Sequence, residues 1–266
     1  ITMTQPESAH PHHRGNYRAS HASPEYGARY QGTYRRVYYF YQCEYIERQL
    51  LESILSDLAS DGAKNCLDFA CGTGRITQIA SNAFDDVTGV DVSPSMLEIA
   101  KRELANVEFI QQDITQDALP KKYDVATAFR FFTNAEEQLK SDALAAIADA
   151  LSDDGILVAN IHVNRPSVVG WCYRLRNRMA GRLTARVVGH DAFADLLAQH
   201  GFDMVRTHWY SYLPRTGWRF PWLARYLMKP VEWICARNPL VPRSVASCFI
   251  VVCRKKRTAT LAPRAA

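Results

Sequence analysis

A glycine-rich turn between two periodic segments has the residue types and spacing best suited to bind a ligand. Residues 67–75 read LDFACGTGR, an apolar run that turns at Gly72 and Gly74 and continues as a helical pattern from Arg75. Glycine lets the backbone approach a ligand closely, and the start of a helix adds unpaired N–H groups that face it. The arrangement predicts a site for a nucleotide-like ligand.

The spacing of the glycines restricts the kind of nucleotide. The dinucleotide-binding fingerprint G-x-G-x-x-G requires a third glycine where this chain has Thr77, which weakens the interpretation as a dehydrogenase. The pattern G-x-x-x-x-G-K-[ST] is also missing from the sequence, which excludes a phosphate-binding P-loop. Two acids accompany the turn instead, Asp68 before it and Asp91 at the end of the next apolar segment.

These two segments resemble the first two motifs of class I S-adenosylmethionine-dependent methyltransferases. Residues 68–74 follow the pattern D-x-A-x-G-x-G, with Ala70 where the family usually has glycine. Residues 87–93, VTGVDVS, are similar to the family's second strand. The resemblance implies that Asp91, at the end of that strand, binds the ribose hydroxyls of the cofactor.

A third segment follows in the order that the family requires. Residues 109–114, FIQQDI, resemble the third strand, whose terminal acid, here Asp113, reaches the adenine amino group. The resemblance covers about residues 60–165. It implies a set of residues that bind S-adenosylmethionine: Asp68, Ala70, Gly72, Gly74, Asp91, Val92, Met96, Asp113 and Ile114.

Both terminal acids also have a structural interpretation. Asp91 stands just before Ser93, which is the favoured N-cap of the next helix, and could itself cap that helix. Asp113 could stabilise a turn, because aspartate commonly bonds to its own backbone there. For Asp91 the binding role is favoured, since two carboxylate oxygens match the two hydroxyls of a ribose.

Two residues are candidates for catalysis. His162 follows the fifth predicted strand, and histidine is suited to accept the proton of an acceptor hydroxyl. Arg130 could hold an acidic group of the acceptor. Each has an alternative, a hydrogen-bonded structural histidine and a salt bridge within the fold. Residues 129–134, FRFFTN, lack the Asn/Asp-Pro-Pro-aromatic signature of enzymes that methylate base amino groups, which argues against that reaction.

Alternating strand and helix patterns are predicted to position these residues. Such alternation indicates βαβ units and a mostly parallel sheet, with the ligand site beyond the carboxyl ends of the strands. Asn134 is expected to cap the helix that follows it, with Glu137 as its capping-box partner. The first five strands are predicted at 65–70, 86–91, 107–112, 123–129 and 156–161.

Two later strands, at 202–212 and 247–254, complete the predicted fold. It is an α/β, Rossmann-like, seven-stranded, mostly parallel sheet flanked by helices, with an N-terminal helical cap and an insertion before the last strand. The domain organisation predicted is as follows: disordered tails at 1–28 and 257–266; one methyltransferase domain at 29–256; a helical cap at 29–62; and substrate-side additions at 166–189 and 214–246.

Charge divides the chain unevenly. Its 266 residues are 47% hydrophobic, enough for a substantial core, and carry a net charge of +5. Residues 1–164 hold 14 Lys/Arg and 23 Asp/Glu, whereas residues 165–266 hold 18 Lys/Arg and 4 Asp/Glu. A basic surface attracts phosphate, nucleic acid or anionic lipid, although a solvated basic surface is the alternative.

Cysteine usage and hydropathy indicate the compartment. Seven cysteines without metal-binding spacing favour a reduced, cytoplasmic protein and no metal site. The polar, histidine-rich start of the chain is not typical of a signal peptide, and no apolar run approaches the ~20 residues of a membrane span. Membrane association at the surface stays open.

The function predicted is transfer of a methyl group from S-adenosylmethionine to a small-molecule, glycan or lipid-like acceptor, at oxygen. An RNA methyltransferase and a non-catalytic cofactor-binding protein are the alternatives; the missing base-methylation signature makes nucleic acid the less favoured partner. Segment 214–246 holds three tryptophans and six basic residues. It is predicted to be either a lid over the site or a contact with an anionic membrane. The oligomeric state is not predicted.

Overall fold

The computed structural model describes residues 41–183, 185–213 and 221–257, together with Tyr17, Gly27, Tyr30 and Gly32. Most of the two predicted tails, and residues 214–220 of the insertion, lie outside the described residues. Where the tails are described, they contact the domain. Tyr17 N–H donates to Glu136 Oε1 at 2.8 Å, and the guanidinium of Arg257 bonds to both carboxylate oxygens of Asp154.

The described residues form the predicted seven-stranded sheet, in the order β3-β2-β1-β4-β5-β7-β6. Strands β1 to β5 are parallel, and β7 is antiparallel to both β5 and β6. The bounds are β1 Asn65–Phe69, β2 Asp86–Asp91, β3 Glu108–Gln111, β4 Tyr123–Ala128, β5 Leu151–Ile161, β6 Phe202–Tyr210 and β7 Cys248–Lys255. The fold class predicted from the sequence is confirmed.

Helices follow the strands as the sequence indicates. They are α1 Arg48–Ser60, α2 Arg75–Ala80, α3 Pro94–Glu103, α4 Glu137–Ala150, α5 Val168–Met179, α6 His190–Gln199 and α7 Pro221–Arg237. A π-helical turn, Tyr41–Glu47, leads into α1, and a 3₁₀ turn, Arg243–Val245, precedes β7. Within the described part of the chain, none of the helices has both the length and the apolar character needed to cross a membrane.

Two local predictions around α4 and β5 are wrong. Asn134 does not cap α4, because its side-chain amide donates instead to the carbonyl of Arg130 at 2.8 Å, and the helix begins at Glu137 with Glu136 as N-cap. The fifth strand, predicted at 156–161, begins earlier, because β5 extends from Leu151 to Ile161. The extra residues fit because the pairing register of β4 and β5 shifts between Tyr123 and Val125.

The core lies on both faces of the sheet. One cluster joins the sheet to α4 and α6, through buried residues such as Leu144, Ile147 and Phe193. The other joins it to α1, α2 and α7, through residues such as Leu51 and Met228. Because helices cover both faces, the carboxyl ends of the parallel strands are left as the edge at which a site can form.

Candidate functional site

The glycine-rich turn after β1 has backbone angles that favour glycine. Gly72 has a φ of 58° and Gly74 a φ of 84°. A Cβ on Gly74 would lie 3.1 Å from Leu104 and 3.2 Å from Ala100, so this glycine also permits α3 to pack against the turn. Ala70 has a φ of 54°, a left-handed conformation that is costly for a residue with a side chain.

Gly72 differs from Gly74 in what lies beside it. A Cβ built there would meet a single described atom within 4 Å, the sulfur of Met96 at 3.8 Å. Among the described residues, only that buried methionine limits the space next to Gly72. A ligand can approach the backbone here, which is what the sequence pattern predicts for the first glycine of the turn.

Asp91 joins the end of β2 to this turn. Its Oδ2 accepts a hydrogen bond from Gly72 N–H at 2.8 Å, and its Oδ1 accepts one from Ser93 N–H at 2.8 Å. The second bond is the structural role considered for Asp91 at the start of α3. Each carboxylate oxygen can accept more than one hydrogen bond, which is the chemistry that a pair of ribose hydroxyls requires.

Asp68 lies behind the turn and is buried. Thr77 Oγ1 donates to its Oδ2 at 2.6 Å, and Thr127 Oγ1 donates to its Oδ1 at 2.7 Å. Burial raises the pKa of Asp68 to about 6, although both hydroxyl donors act in the opposite direction. The carboxylate therefore anchors the turn to α2 and β4.

The predicted adenine-side residues lie at the ends of β2 and β3. Asp113 Oδ1 accepts hydrogen bonds from the backbone and hydroxyl of Thr115 at 3.1 and 2.7 Å, which is the turn role considered for it. Ile114 is buried, and Val92 is half-buried beside Asp91. These residues are on the same edge of the sheet as the glycine turn, because β1, β2 and β3 are parallel neighbours.

A pocket opens on the other side of the turn, between the ends of β1 and β4. It brings together three predicted site residues, Asp68, Ala70 and Arg130, but not His162. Its lining is Tyr30, Asp68, Ala70, Cys71, Thr73, Arg75, Ile76, Phe129 and Arg130. Two guanidinium groups therefore border this pocket.

A buried carboxylate that the sequence interpretation missed, Glu47, lies among those guanidinium groups. Arg75 Nη2 lies 2.6 Å from Glu47 Oε1, and Arg130 Nη2 lies 3.4 Å from Oε2. The side-chain amide of Asn160 and the hydroxyl of Tyr210 also donate to Oε2. Burial alone would raise the pKa of Glu47, but Arg130 and Arg75 hold it below its usual value.

The sequence does contain a signal for Glu47. The residue shares a helical face with Cys43 and Leu51, both of which are buried. A carboxylate on the apolar face of a helix needs a positively charged or hydrogen-bonding partner when it is buried. Arg75, directly after the glycine turn, is a candidate for that partner in the sequence. Arg130 thus forms the salt bridge within the fold that was considered as the alternative to binding an acceptor.

His162 lies at the end of β5, half-buried. The backbone N–H of His162 donates to Thr133 Oγ1 at 3.3 Å, and its backbone carbonyl accepts from the thiol of Cys248 at 3.5 Å. Asn160 and Asn164, on either side of His162 in the sequence, are both buried. Asn160 Oδ1 accepts from Arg130 N–H at 2.7 Å, and Asn164 donates to two carbonyls of the segment before β7.

The strand order, the glycine turn after β1 and the acid at the end of β2 define a class I, Rossmann-like methyltransferase fold. Residues 66–155 match the family model described as a methyltransferase domain. The chain therefore carries a class I S-adenosylmethionine-dependent methyltransferase domain.

Named relatives agree with this class. A malonyl-[acyl-carrier protein] O-methyltransferase of Acetivibrio thermocellus is 30% identical over 121 residues, 42% of this chain and 41% of that protein. A trans-aconitate 2-methyltransferase of Yersinia pestis is 26% identical over 181 residues, 61% of this chain and 67% of that protein. The chain spans about half or less of the length of the first curated relatives it matches.

Solved structures show the same fold. Magnesium protoporphyrin IX methyltransferase from Synechocystis PCC 6803, with bound SAH, superposes with a TM-score of 0.57 at 16% identity. The similarity covers 87% of this chain and 96% of that one. It extends well beyond residues 66–155.

Proposed function

We propose that this protein is an enzyme that transfers a methyl group from S-adenosylmethionine to a small-molecule, glycan or lipid-like acceptor, at oxygen. One observation carries the proposal: the carboxylate of Asp91 is held beside the open face of Gly72 by a 2.8 Å hydrogen bond. A carboxylate next to approachable backbone suits a nucleoside with two free ribose hydroxyls. The relative whose name specifies O-methylation supports oxygen as the acceptor atom.

The residues around the turn fit the parts of this cofactor. Asp91 and Gly72 would hold the ribose, with Val92, Met96, Asp113 and Ile114 on the adenine side. On the opposite side of the turn, Arg75 and Arg130 border the pocket and suit the carboxylate end of the cofactor. Asp68, Ala70 and Gly74 shape the turn between the two sides.

The protein itself does not need to activate the methyl group. S-adenosylmethionine supplies a methyl group that is already activated on a sulfonium, and the protein positions the two reactants and excludes water. His162, at the end of β5, is the proposed acceptor of the proton that the hydroxyl of the methyl acceptor loses. The additions at 166–189 and 214–246 follow β5 and β6, where they would contact the acceptor.

Calorimetry tests the cofactor assignment. We expect micromolar binding of S-adenosylmethionine or its demethylated product, and no binding of NAD. Asp91→Ala should weaken that binding roughly 10- to 100-fold, the range for charge-assisted hydrogen bonds. Asp86→Ala is the matched control, because Asp86 begins the same strand at its exposed end, paired with Lys121. Equal affinity in all three proteins would overturn the assignment of Asp91.

Activity is tested separately with labelled cofactor and cell extract divided into lipid, small-molecule and RNA fractions. Label in the lipid or small-molecule fraction supports the proposal, and label in the RNA fraction contradicts it. Cofactor binding without transfer to any fraction would indicate a non-catalytic protein.

A further inference from the structure

Helix α5 presents apolar side chains to solvent. Val168, Trp171, Leu175 and Met179 follow one another along one side of the helix, and all are exposed, Trp171 by 58% and Met179 by 80%. The opposite side contacts the domain through buried Val169 and Gly170. A surface helix normally has the reverse arrangement, with its apolar side inward.

Arginines border this apolar side. Arg176 lies on one flank of the helix, and Arg174 and Arg178 lie on the other. Six arginines and no acid occur between residues 165 and 186. The outward side of α5 is therefore an apolar strip with positive charge on both flanks.

Helix α7 has a similar outward side. Tyr226 is exposed by 65% and Trp233 by 60%, and Ile234 is exposed on the same side. Arg237 lies over the ring of Trp233, with its guanidinium carbon 5.1 Å from the ring centroid. The single acid of the segment, Glu232, is turned inward, where it accepts hydrogen bonds from the backbone of Ser211 and Tyr212.

Glu232 lies on the inward side because the backbone N–H groups after β6 need an acceptor and the carboxylate provides one. The inward turn of Glu232 removes the one negative charge from the outward side of α7.

Both helices emerge from the same edge of the sheet. Strands β5 and β6 are each antiparallel to β7, so they run in the same direction, and α5 and α7 follow their carboxyl ends. Asn164, before α5, donates to the carbonyls of Ser244 and Ala246, after α7, at 2.7 and 2.9 Å. The glycine turn and its pocket lie at this edge as well.

We infer that the outward sides of α5 and α7 dock on the surface of an anionic lipid bilayer. Tryptophan and aliphatic side chains insert at the level of the headgroups, while flanking arginines pair with lipid phosphates. A second copy of the chain fits poorly, because the two arginine-rich sides would face each other. Nucleic acid also fits poorly, because it would leave the aliphatic strip uncovered.

Docking in this way would turn the pocket edge toward the bilayer. The acceptor is then an amphiphile whose polar end stands at the lipid surface, a conclusion that rests on the proposed methyltransferase function. Docking itself does not depend on that function, and vesicle binding measures it without any turnover.

Flotation of the full chain with vesicles provides the test. We expect binding to mixed phosphatidylcholine–phosphatidylglycerol vesicles, little binding to phosphatidylcholine alone, and weaker binding at high ionic strength. Trp171→Ser/Leu175→Ser/Met179→Ser should lower the partition coefficient at least about tenfold. Arg174→Gln/Arg178→Gln should lower binding to the anionic vesicles only. Val205→Ser, at an exposed apolar residue of β6, is the matched control and should bind as the parent does.

Three results would overturn the inference: no binding to either vesicle, equal loss in Val205→Ser and the triple variant, or binding that the triple variant retains. A dimer that the triple variant dissociates in sedimentation would assign the surface to a second copy instead. The substituted side chains are exposed, and unchanged calorimetric binding of S-adenosylmethionine or unchanged thermal unfolding verifies the fold of each variant.

Discussion

Ala70 shows how a single residue departs from a family pattern at an energetic cost. Its φ of 54° is one that L-residues adopt at roughly 1–2 kcal/mol, and a family glycine would avoid that cost. Part of the gain would be lost to the greater freedom of glycine in the unfolded chain. We expect Ala70→Gly to raise the free energy of unfolding by about 0.5–1 kcal/mol in urea denaturation.

Gly62→Ala is the control for this effect. Gly62 has a φ of 105°, and a Cβ there would meet no described atom within 4 Å, so conformation alone should destabilise the variant. If Ala70→Gly lowers stability instead, the methyl group of Ala70 contributes packing that outweighs its backbone strain.

His162 is the candidate general base, and it makes hydrogen bonds through its backbone. Its backbone is held by Thr133 and Cys248 at the end of β5, which fixes the residue without assigning its ring a function. If the ring accepts the proton of the acceptor hydroxyl, His162→Ala should lower kcat by roughly 10²-fold while calorimetric cofactor affinity stays unchanged. Full turnover in the variant would leave His162 a structural residue.

Glu47 joins separate elements into one unit. It connects the π-helical turn before α1 with α2, β5 and β6 through Arg75, Asn160 and Tyr210. Glu47→Gln would leave two guanidinium groups without their buried counter-charge, so we expect a loss of about 3–5 kcal/mol in the free energy of unfolding. Glu44→Gln, which removes a partly exposed partner of Arg48, should cost less than about 1 kcal/mol.

An equal, small decrease in the free energy of unfolding of both variants would mean that water solvates the arginines, or that another group neutralises their charge, in place of Glu47. Chemical denaturation at a single pH near 7 measures the free energy of unfolding of both variants, and the partly exposed Glu44–Arg48 pair serves as the reference.

The bounds of strands and helices could be predicted where a periodic hydrophobic pattern met residues that favour the start or the end of an element. α3 begins at Pro94 because proline favours the first position of a helix. α5 begins after Ser167, whose Oγ accepts from Gly170 N–H. The cap of α4 could not be predicted in this way. Asn134 has the right residue type, but a carbonyl four residues earlier competes for its side chain.

The residues of the candidate site likewise divide into those that the sequence predicts and those that it does not. Gly72, Gly74 and Asp91 could be found because their roles depend on backbone geometry and on one local bond. The Glu47 cluster depends on residues from five distant segments, and no short spacing records such a contact. The sequence therefore indicates the glycine turn, Asp68 and Arg130, but not the contacts that Glu47 makes with the two arginines.

The molecule as a whole separates an acidic, cofactor-side half from a basic, arginine-rich half. The described residues from 41 to 164 include the strands and acids around the glycine turn, whereas much of the basic excess of residues 165–266 falls in the sequence on α5, α7 and the segments next to them. The order of the strands places both halves at one edge of the sheet. The charge asymmetry was readable from composition, but its location at the site edge follows only from the topology.

The stability of the whole protein should depend on pH through two carboxyls, the buried Asp68 and the half-buried Glu232. Burial raises the pKa of Asp68 to about 6 and that of Glu232 to about 7. A carboxyl with a raised pKa binds its proton more tightly in the folded state, so its contribution to stability is full below its ordinary pKa. That contribution falls as pH rises toward the folded pKa.

His208 acts in the opposite direction, because burial lowers its pKa and its contribution is full only above about pH 6.5. Between pH 6.5 and 8 the remaining change therefore comes mainly from Glu232. We expect the free energy of unfolding to fall by about 1 kcal/mol over this interval. The fall should be larger when it is measured from pH 5 upward, because Asp68 then titrates as well. Urea denaturation at closely spaced pH values measures the slope. Asp68→Asn/Glu232→Gln should remove the fall because neither new side chain ionises, whereas Asp86→Asn, at an exposed position, should leave it intact. A slope that persists in the double variant would assign the titration to other groups.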